Sequence, residues 1–538
     1  LMKQSGKAQE FIDKQTSSLA MKCYAWHQIH ALRYEQQEAA YYLELRAGLD
    51  KENIKWQDEA GLYVMEYLAD YDKALKIFED ALKLSEILYG EMSAEVAIMS
   101  NNLGVLYHTI DENQLAIECY SRSLKIKEVL FEKNHPLIAD AYNNIGITYY
   151  DKKEYDKAME YYHQALNIYL EYFEEESEEI AIVYNNMGSV YNDIQDFSAA
   201  YEYYYKSMLM SERVLGVDNI NTAISYNNVA GIYKSLGEYD NALIYYHKAL
   251  DIDKLLLGEK HPLIAIGYNN IGTVYSGKGE YQQALGYYCK ALEIREKVLG
   301  VEHHSTATSY NNIGTIHEKL GKYNEALEYY LKALNVMKNI YGTGHSIVST
   351  IYGNIGEVYM NLNELQQALD CYMQAVDIDI NIYGAEHPYI AMSYNGIGGI
   401  YANLGEYDKA LEYMFRSLEI MKAVFGEQHR YIASSYNNIG FVYLKATLWD
   451  DAILWCRKAL DIQEETVGLS HPDVANTYNN LGKCFEEKRD YNQALQYYLE
   501  ALSILENSVQ ESHPIRVKVE QRVQHCKELL HILSHSVK

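Results

Sequence analysis

The sequence is poor in proline and cysteine, the residues that interrupt helices and covalently bridge chains. It has five prolines and seven cysteines among 538 residues, and no two cysteines form a CxxC pair. Cysteines without paired spacing are typical of reduced thiols rather than a disulfide framework. No apolar run approaches 18 residues, and no signal-peptide core follows the start. We therefore expect a cytoplasmic protein with no membrane contact. Its first residue, Leu1, suggests a piece of a longer chain.

Basic residues are also scarce. There are 47 Lys and Arg against 75 Asp and Glu, a formal net charge of −28. The ends carry little of it: residues 1–57 hold eight basic and seven acidic side chains, and residues 515–538 hold five and two. The acidic middle would repel a phosphate backbone, so nucleic acid is a poor candidate partner. Two interpretations of the charge remain open, namely solubility of a large surface and attraction for a basic partner.

What the sequence has in excess is tyrosine, 55 residues, and much of it recurs at a fixed period of 42. A degenerate copy begins at Asp58, where YDKAL at 71–75 matches YDKAM at 155–159, and the next copy has Ser100 in place of the tyrosine. Nine more copies follow, which makes eleven without insertion or deletion. The aligned tyrosines are Tyr142, Tyr184, Tyr226, Tyr268, Tyr310, Tyr352, Tyr394, Tyr436 and Tyr478.

Each copy has the spacing of two amphipathic helices, which we call helix A and helix B. Tyr142, Ile145 and Tyr149 fall on one helical face, and Ala158 and Tyr162 fall on another. The small residue at Gly146 would let the two helices approach closely. Glycines recur where helices end and all five prolines open a helix A, as capping requires. This is the tetratricopeptide signature with tyrosine replacing its tryptophan and phenylalanine.

The pattern predicts an all-α fold, a right-handed α-solenoid superhelix of about eleven stacked helix hairpins with helices A on the concave side. Residues 1–57 are expected to be helical but outside the repeat register. Residues 58–519 form the repeats, and residues 520–538 form a C-terminal capping helix.

The 42-residue period, the YNNIG box and loops such as LGEKHPLIA at 257–265 resemble the tetratricopeptide domain of kinesin light chains. They are also similar to kinesin-light-chain-like repeats of bacterial and protist proteins. The resemblance implies a groove in which the paired asparagines hydrogen-bond to the backbone of a bound peptide. The coiled coil through which a light chain meets its heavy chain is absent from this sequence, so the resemblance does not imply a motor role.

The two asparagines that follow the tyrosine, at positions five and six of each copy, are the candidate ligand-binding residues. Their amides offer two donors and an acceptor, which suits an extended backbone. Alternatively, one amide of each pair bonds to the neighbouring copy and holds the stack; the two interpretations are compatible. The candidates are Asn143, Asn144, Asn185, Asn186, Asn227, Asn228, Asn269, Asn270, Asn311, Asn312, Asn354, Asn395, Asn437 and Asn438.

Specificity is expected where the copies turn apolar, between about residues 310 and 445. Phe441 and Leu444 are the candidate contacts, and Gly353 and Gly396 replace ladder asparagines nearby. Such a site would accept a bulky apolar side chain, although drift within the repeat is the competing explanation. Position two carries Asp140, Ile182 and other non-basic residues in every copy through Asn476, which disfavours a clamp for a C-terminal carboxylate. An internal segment of a partner protein is the expected ligand.

No catalytic, cofactor or metal site is expected. The sequence has no phosphate-binding loop, GxSxG or HExxH motif. Histidines do recur with the period, from His135 to His513, but equivalent loops of stacked helices are too far apart to share one ion. We expect these histidines to be loop and cap residues. The favoured function is a protein-interaction scaffold. The alternative is the sensor arm of a larger signalling ATPase or protease with its effector domain upstream.

Overall fold

The computed structural model describes residues 2–32, 35–173, 176–466, 468, 471–508 and 514–536. Within these ranges all regular secondary structure is helical, as expected. The chain forms two compact units, residues 1–256 and 257–538. In each unit, consecutive antiparallel helix pairs pack on one another, so the protein is an all-α solenoid.

In the first unit two helices precede five helix pairs. The two helices are α1 (Met2–Leu32) and α2 (Gln36–Leu49). The pairs are α3 (Ile54–Tyr63) with α4 (Tyr71–Tyr89), α5 (Ala94–Thr109) with α6 (Asn113–Leu130), α7 (Pro136–Asp151) with α8 (Tyr155–Tyr172), α9 (Glu178–Asp193) with α10 (Phe197–Val214), and α11 (Ile220–Ser235) with α12 (Tyr239–Leu257).

The second unit holds six pairs and one further helix. The pairs are α13 (Pro262–Gly277) with α14 (Tyr281–Val298), α15 (His304–Lys319) with α16 (Tyr323–Tyr341), α17 (Ser346–Asn361) with α18 (Leu365–Tyr383), α19 (Pro388–Leu404) with α20 (Tyr407–Phe425), α21 (Arg430–Lys445) with α22 (Trp449–Thr466), and α23 (Pro472–Glu487) with α24 (Tyr491–Ser508). The last helix is α25 (Pro514–Ser536).

The periodic histidines cap the helices A. In α7 the Nδ1 atom of His135 accepts a hydrogen bond from the backbone N–H of Leu137, 3.3 Å away, and the His135 ring stacks on Phe131. His261, His303, His345, His387, His429 and His471 cap their helices in the same way. The predicted cap role is therefore confirmed for these residues; His513 lies outside the described residues.

The turn from helix A to helix B uses one residue with a left-handed backbone. Glycine supplies it in four copies, with φ near 77° at Gly237. In other copies a residue with a side chain adopts the same conformation, including Lys153 at 59° and Thr447 at 62°. This conformation disfavours a Cβ atom, and a β-branched residue most of all. The 42-residue period is therefore kept even in copies that have no glycine at this turn.

Helices A and B touch at the predicted small residue. A Cβ atom added to Gly146 would lie 2.6 Å from Cε1 of Tyr162, and one added to Gly314 would lie 2.8 Å from Cδ1 of Tyr330. The tyrosine ring thus occupies the space that a side chain would take. Close contact of this kind explains why nearly every copy keeps glycine at this position.

The first pair differs from the sequence alignment by one residue in its helix A. Gly61 packs on Phe78, 17 residues later, whereas Gly104 packs on Tyr120, 16 residues later. A π-helical turn at Val64–Leu68 accommodates the additional residue. The first repeat helix starts at Ile54, after the Asn53 cap, rather than at residue 58. As a result Asp58 takes position five instead of the tyrosine position.

Both ends of the repeat array are covered by helices. Ala39, Ala40 and Leu43 of α2 join the buried cluster of the first pairs. At the other end Val519 and Val523 of α25 are buried against α24, and this helix starts at Pro514 rather than at residue 520.

Candidate functional site

The paired asparagines form hydrogen bonds between neighbouring helices A. In each case Nδ2 of a position-six asparagine donates to Oδ1 of the position-five asparagine in the preceding copy. The first unit has Asn144 to Asn101 at 3.3 Å, Asn186 to Asn143 at 3.0 Å and Asn228 to Asn185 at 2.6 Å. The second unit has Asn312 to Asn269 at 2.8 Å, Asn354 to Asn311 at 3.0 Å and Asn480 to Asn437 at 3.1 Å.

We call each such bond a rung of the amide ladder. The rungs match the interpretation that these amides hold neighbouring copies. They engage both members of the pairs Asn143–Asn144, Asn185–Asn186 and Asn311–Asn312. A rung uses the oxygen at position five and one N–H at position six. Within the described part of the chain, Nδ2 of Asn143, Asn185 and Asn311 makes no hydrogen bond, and all three residues are half-buried. The NH2 groups of these three asparagines are therefore donors that remain for a ligand.

The ladder starts on a carboxylate. Nδ2 of Asn102 donates to Oδ1 of Asp58 at 2.5 Å, the bond that Asn144 makes to Asn101 one copy later. Burial raises the pKa of Asp58 to about 6, although the Asn102 hydrogen bond opposes the shift and Glu59 adds to it. The sequence alignment missed this rung because it placed Asp58 one position too early.

One of the absent rungs has glycine at both of its positions. Gly353 and Gly396 are 43 residues apart, the spacing of every asparagine rung within the repeats. The Tyr372 ring lies at Gly396, where an added Cβ would be 2.6 Å from its Cζ. Because both partners are replaced together, no amide is left unpaired in this rung. The next position-five oxygen, Oδ1 of Asn395, is buried without a hydrogen-bond partner, and so is Oδ1 of Asn227 in the first unit.

The expected apolar contacts in the second unit are only partly exposed. Leu444 packs against the buried cluster that contains α24. Phe441 is half-buried, with the Lys445 ammonium 5.5 Å from its ring centroid. Between residues 310 and 445 the helices A also carry Glu318 and Glu357, and burial raises the pKa of Glu357. No contact among these residues identifies an apolar pocket.

An apolar cavity of about 490 Å³ lies instead in the first unit, beside the amide ladder. It spans the helices A of three copies, α5, α7 and α9. Ile98, Leu137 and Ile182 form its walls, with 48%, 39% and 43% of their surfaces exposed, and Asn101 and Asn143 line it. Sequence reasoning missed this cavity, although the isoleucines at position two were a visible signal.

Two side chains of opposite charge, Lys127 and Asp140, also line the cavity. The Lys127 side chain is buried, and burial lowers its pKa while the nearby Asp140 carboxylate opposes the shift. The Tyr169 hydroxyl donates a hydrogen bond to Asp140, and burial together with that bond raises the pKa of Tyr169. Tyr169 and Asp140 are thus paired with each other, and the exposed side chains of Ile98, Leu137 and Ile182 provide apolar surface in the cavity.

Comparison with protein families agrees with this arrangement of helix pairs. The family model described as Tetratricopeptide repeat matches nine overlapping segments, residues 63–128, 95–171, 179–254, 224–297, 263–339, 305–381, 347–423, 389–453 and 431–507. The chain belongs to the tetratricopeptide repeat family. This family builds scaffolds from helix pairs, in agreement with the eleven pairs described above.

Solved structures similar to this tetratricopeptide repeat protein include BtubC (BKLC) from P. vanneervenii. It has 21% identity and a TM-score of 0.35, over 42% of this chain and 90% of that one. A putative kinesin light chain from Podosopora anserina with nearly identical TPR-like repeats has 19% identity and a TM-score of 0.34, over 38% of this chain and 97% of that one. A single-substitution variant of that protein has 20% identity over the same shares. No curated protein matches this chain.

Among the described residues, no three His, Cys, Asp or Glu side chains are grouped so that they could hold a metal ion. None of the helices in those ranges has the length and apolar character needed to cross a bilayer.

Proposed function

We propose that this protein is an interaction scaffold that binds a protein segment along its helices A. The observation that carries this proposal is the coincidence, in the first unit, of unused amide donors with an apolar cavity. Nδ2 of Asn143 is available for a backbone carbonyl of the ligand, and Ile98 and Ile182 flank a space large enough for an apolar side chain. Amide donors supply affinity for a backbone, and the cavity supplies specificity for a side chain.

The ligand is an extended or helical internal segment, because positions two, five and six of the helices A carry no lysine or arginine in the copies from Asn101 to Asn480. The face between residues 310 and 445, with Asn312 and Phe441, is a second candidate contact region. The rung between Gly353 and Gly396 is absent from this face. Next to Gly353 there is open space, since an added Cβ would meet no atom within 4 Å.

A ligand can be obtained by selecting a displayed library of random peptides on the purified chain. Binding of each selected peptide is then measured by fluorescence anisotropy. We expect Ile182→Asp to weaken binding at least tenfold, about 1.4 kcal/mol, because it places a charge in the apolar wall. Ile87→Asp is the matched control, since Ile87 is 79% exposed on α4, away from the cavity.

Asn143→Ala and Asn312→Ala test the amide contribution, and Phe441→Ala tests the second contact region. Asn361→Ala is the control for the asparagines, because its amide bonds only to the Glu357 carbonyl of its own helix. If Ile182→Asp and Ile87→Asp reduce affinity equally, the cavity is not the binding site. If Asn312→Ala and Phe441→Ala leave affinity unchanged, the ligand does not reach residues 310–445.

A further inference from the structure

A second cavity, of about 710 Å³, lies between α23 and the capping helix α25 in the second unit. Its charged lining residues are Lys483, Glu486, Lys518, Arg522 and His525. Four of these five residues are lysine, arginine or histidine, in a chain whose net charge is −28. The cavity is therefore a locally basic site on an acidic protein.

The basic site arises where the capping helix continues the repeat period. Lys518 and Arg522 stand 42 residues after Asn476 and Asn480, so they take positions two and six. The earlier helices A carry uncharged or acidic side chains at position two and chiefly asparagine at position six. Positions two, five and six lack basic residues only in the copies from Asn101 to the one that contains Asn476. The capping helix supplies the cations that those copies lack.

The positive charge exceeds the negative charge inside the cavity. Nη1 of Arg522 donates to Oε2 of Glu486 at 2.7 Å and to the Tyr498 hydroxyl at 3.2 Å, and the Tyr498 hydroxyl itself donates to Glu486. One carboxylate thus neutralises one guanidinium. Within the described residues, Lys483 and Lys518 form no ion pair.

Lys483 is the most constrained of these cations. Burial, together with the nearby positive charges of Arg522, Lys445 and Lys518, lowers its pKa to about 8. A half-buried ammonium without a counter-charge is unfavourable for the folded protein. An anionic group entering the cavity would supply that counter-charge and form charge-assisted hydrogen bonds.

We propose that this cavity binds the carboxylate side chains of an acidic stretch in a partner polypeptide. The proposal rests on the proposed scaffold function and adds a charged contact at the end of the helix A face. A short acidic stretch places a few carboxylates among these cations. A long polyanion such as nucleic acid would in addition meet the acidic remainder of the protein. The uncharged amides of Asn479 and Gln521 add donors beside the lysines.

The test uses the full chain with its lysines dimethylated by isotope-labelled formaldehyde, which preserves their charge. Methyl signals are assigned with the Lys483→Arg, Lys518→Arg and Lys527→Arg variants and followed by NMR during titration with acetyl-tetraglutamate amide. We expect saturable shifts of the Lys483 and Lys518 signals and no shift of Lys527, which is exposed on α25 outside the cavity. Acetyl-tetraglutamine amide should cause no shift.

Affinity in variants provides the second arm. The double variant Lys483→Gln, Lys518→Gln should bind the glutamate peptide at least tenfold more weakly, and Lys527→Gln should bind within twofold of the parent. Equal shifts at all three lysines would show general charge screening and overturn the proposal, as would a response to inorganic phosphate but not to glutamate. Because this probe contains no apolar residue, its result is independent of whether Ile182→Asp affects peptide binding in the first unit.

Discussion

The start of the amide ladder makes the stability of the first helix pair depend on pH. Asp58 has a pKa of about 6 in the folded chain against 3.8 for the ordinary side chain, chiefly because it is buried. The folded state therefore favours the protonated carboxyl. The stability contributed by that preference is fully present below pH 3.8 and is lost as pH rises through 6. At pH 7.5 the loss amounts to as much as about 3 kcal/mol, since one pKa unit corresponds to about 1.4 kcal/mol.

Asparagine at this position would keep the acceptor for Asn102 and remove the charge. We therefore expect Asp58→Asn to stabilise the first helix pairs at pH 7.5 by up to about 3 kcal/mol, and at pH 4.5 by only about 1 kcal/mol. The measurement is amide hydrogen exchange by mass spectrometry on peptides from α3, α4 and α5. Exchange free energies are corrected for the intrinsic rate at each pH and compared with the parent chain.

The reverse substitution provides the control. Asn143 accepts the same bond from Asn186 two copies further along, so Asn143→Asp should make α7 and α9 less protected as pH rises. The reasoning is refuted if Asp58→Asn gives the same change at both pH values. It is refuted equally if exchange slows throughout the chain rather than around α3 to α5.

Two more substitutions test other local features. Lys483→Gln should stabilise the second unit by up to about 3 kcal/mol at pH 7 and by about half as much at pH 9.5, because the lysine pKa is lowered to about 8 and its charged form is lost as pH rises. Urea unfolding followed by tryptophan fluorescence measures this difference. A stabilisation independent of pH would contradict the prediction. Thr447→Gly should raise the free energy of unfolding by about 1 kcal/mol, because the left-handed backbone at φ 62° disfavours a Cβ atom. Calorimetry should show the opposite effect for Gly405→Thr, which changes the same turn position in another copy. A loss of stability in Thr447→Gly would contradict the inference that the backbone at Thr447 is strained.

The number of copies, the two helices in each, the close approach at Gly146 and the histidine caps were all predictable from the sequence. Each depends on residues within one copy, and the same local pattern recurs eleven times. The site was less predictable. The paired asparagines were visible, but the partner of each amide was not, since Asn186 bonds to Asn143 on a different helix, 43 residues away.

By itself, the sequence determined the period, the fold class and the helices on which binding residues lie, because helix faces and caps follow from spacing along the chain. Only the tertiary structure decided which residues meet. It placed Asp58 in the ladder through a single additional residue in a π-helical turn, and it paired Gly353 with Gly396. It also brought Lys483 beside Arg522 of the capping helix. Such contacts depend on how one helix is offset against the next, and an offset of one residue is enough to change the partner.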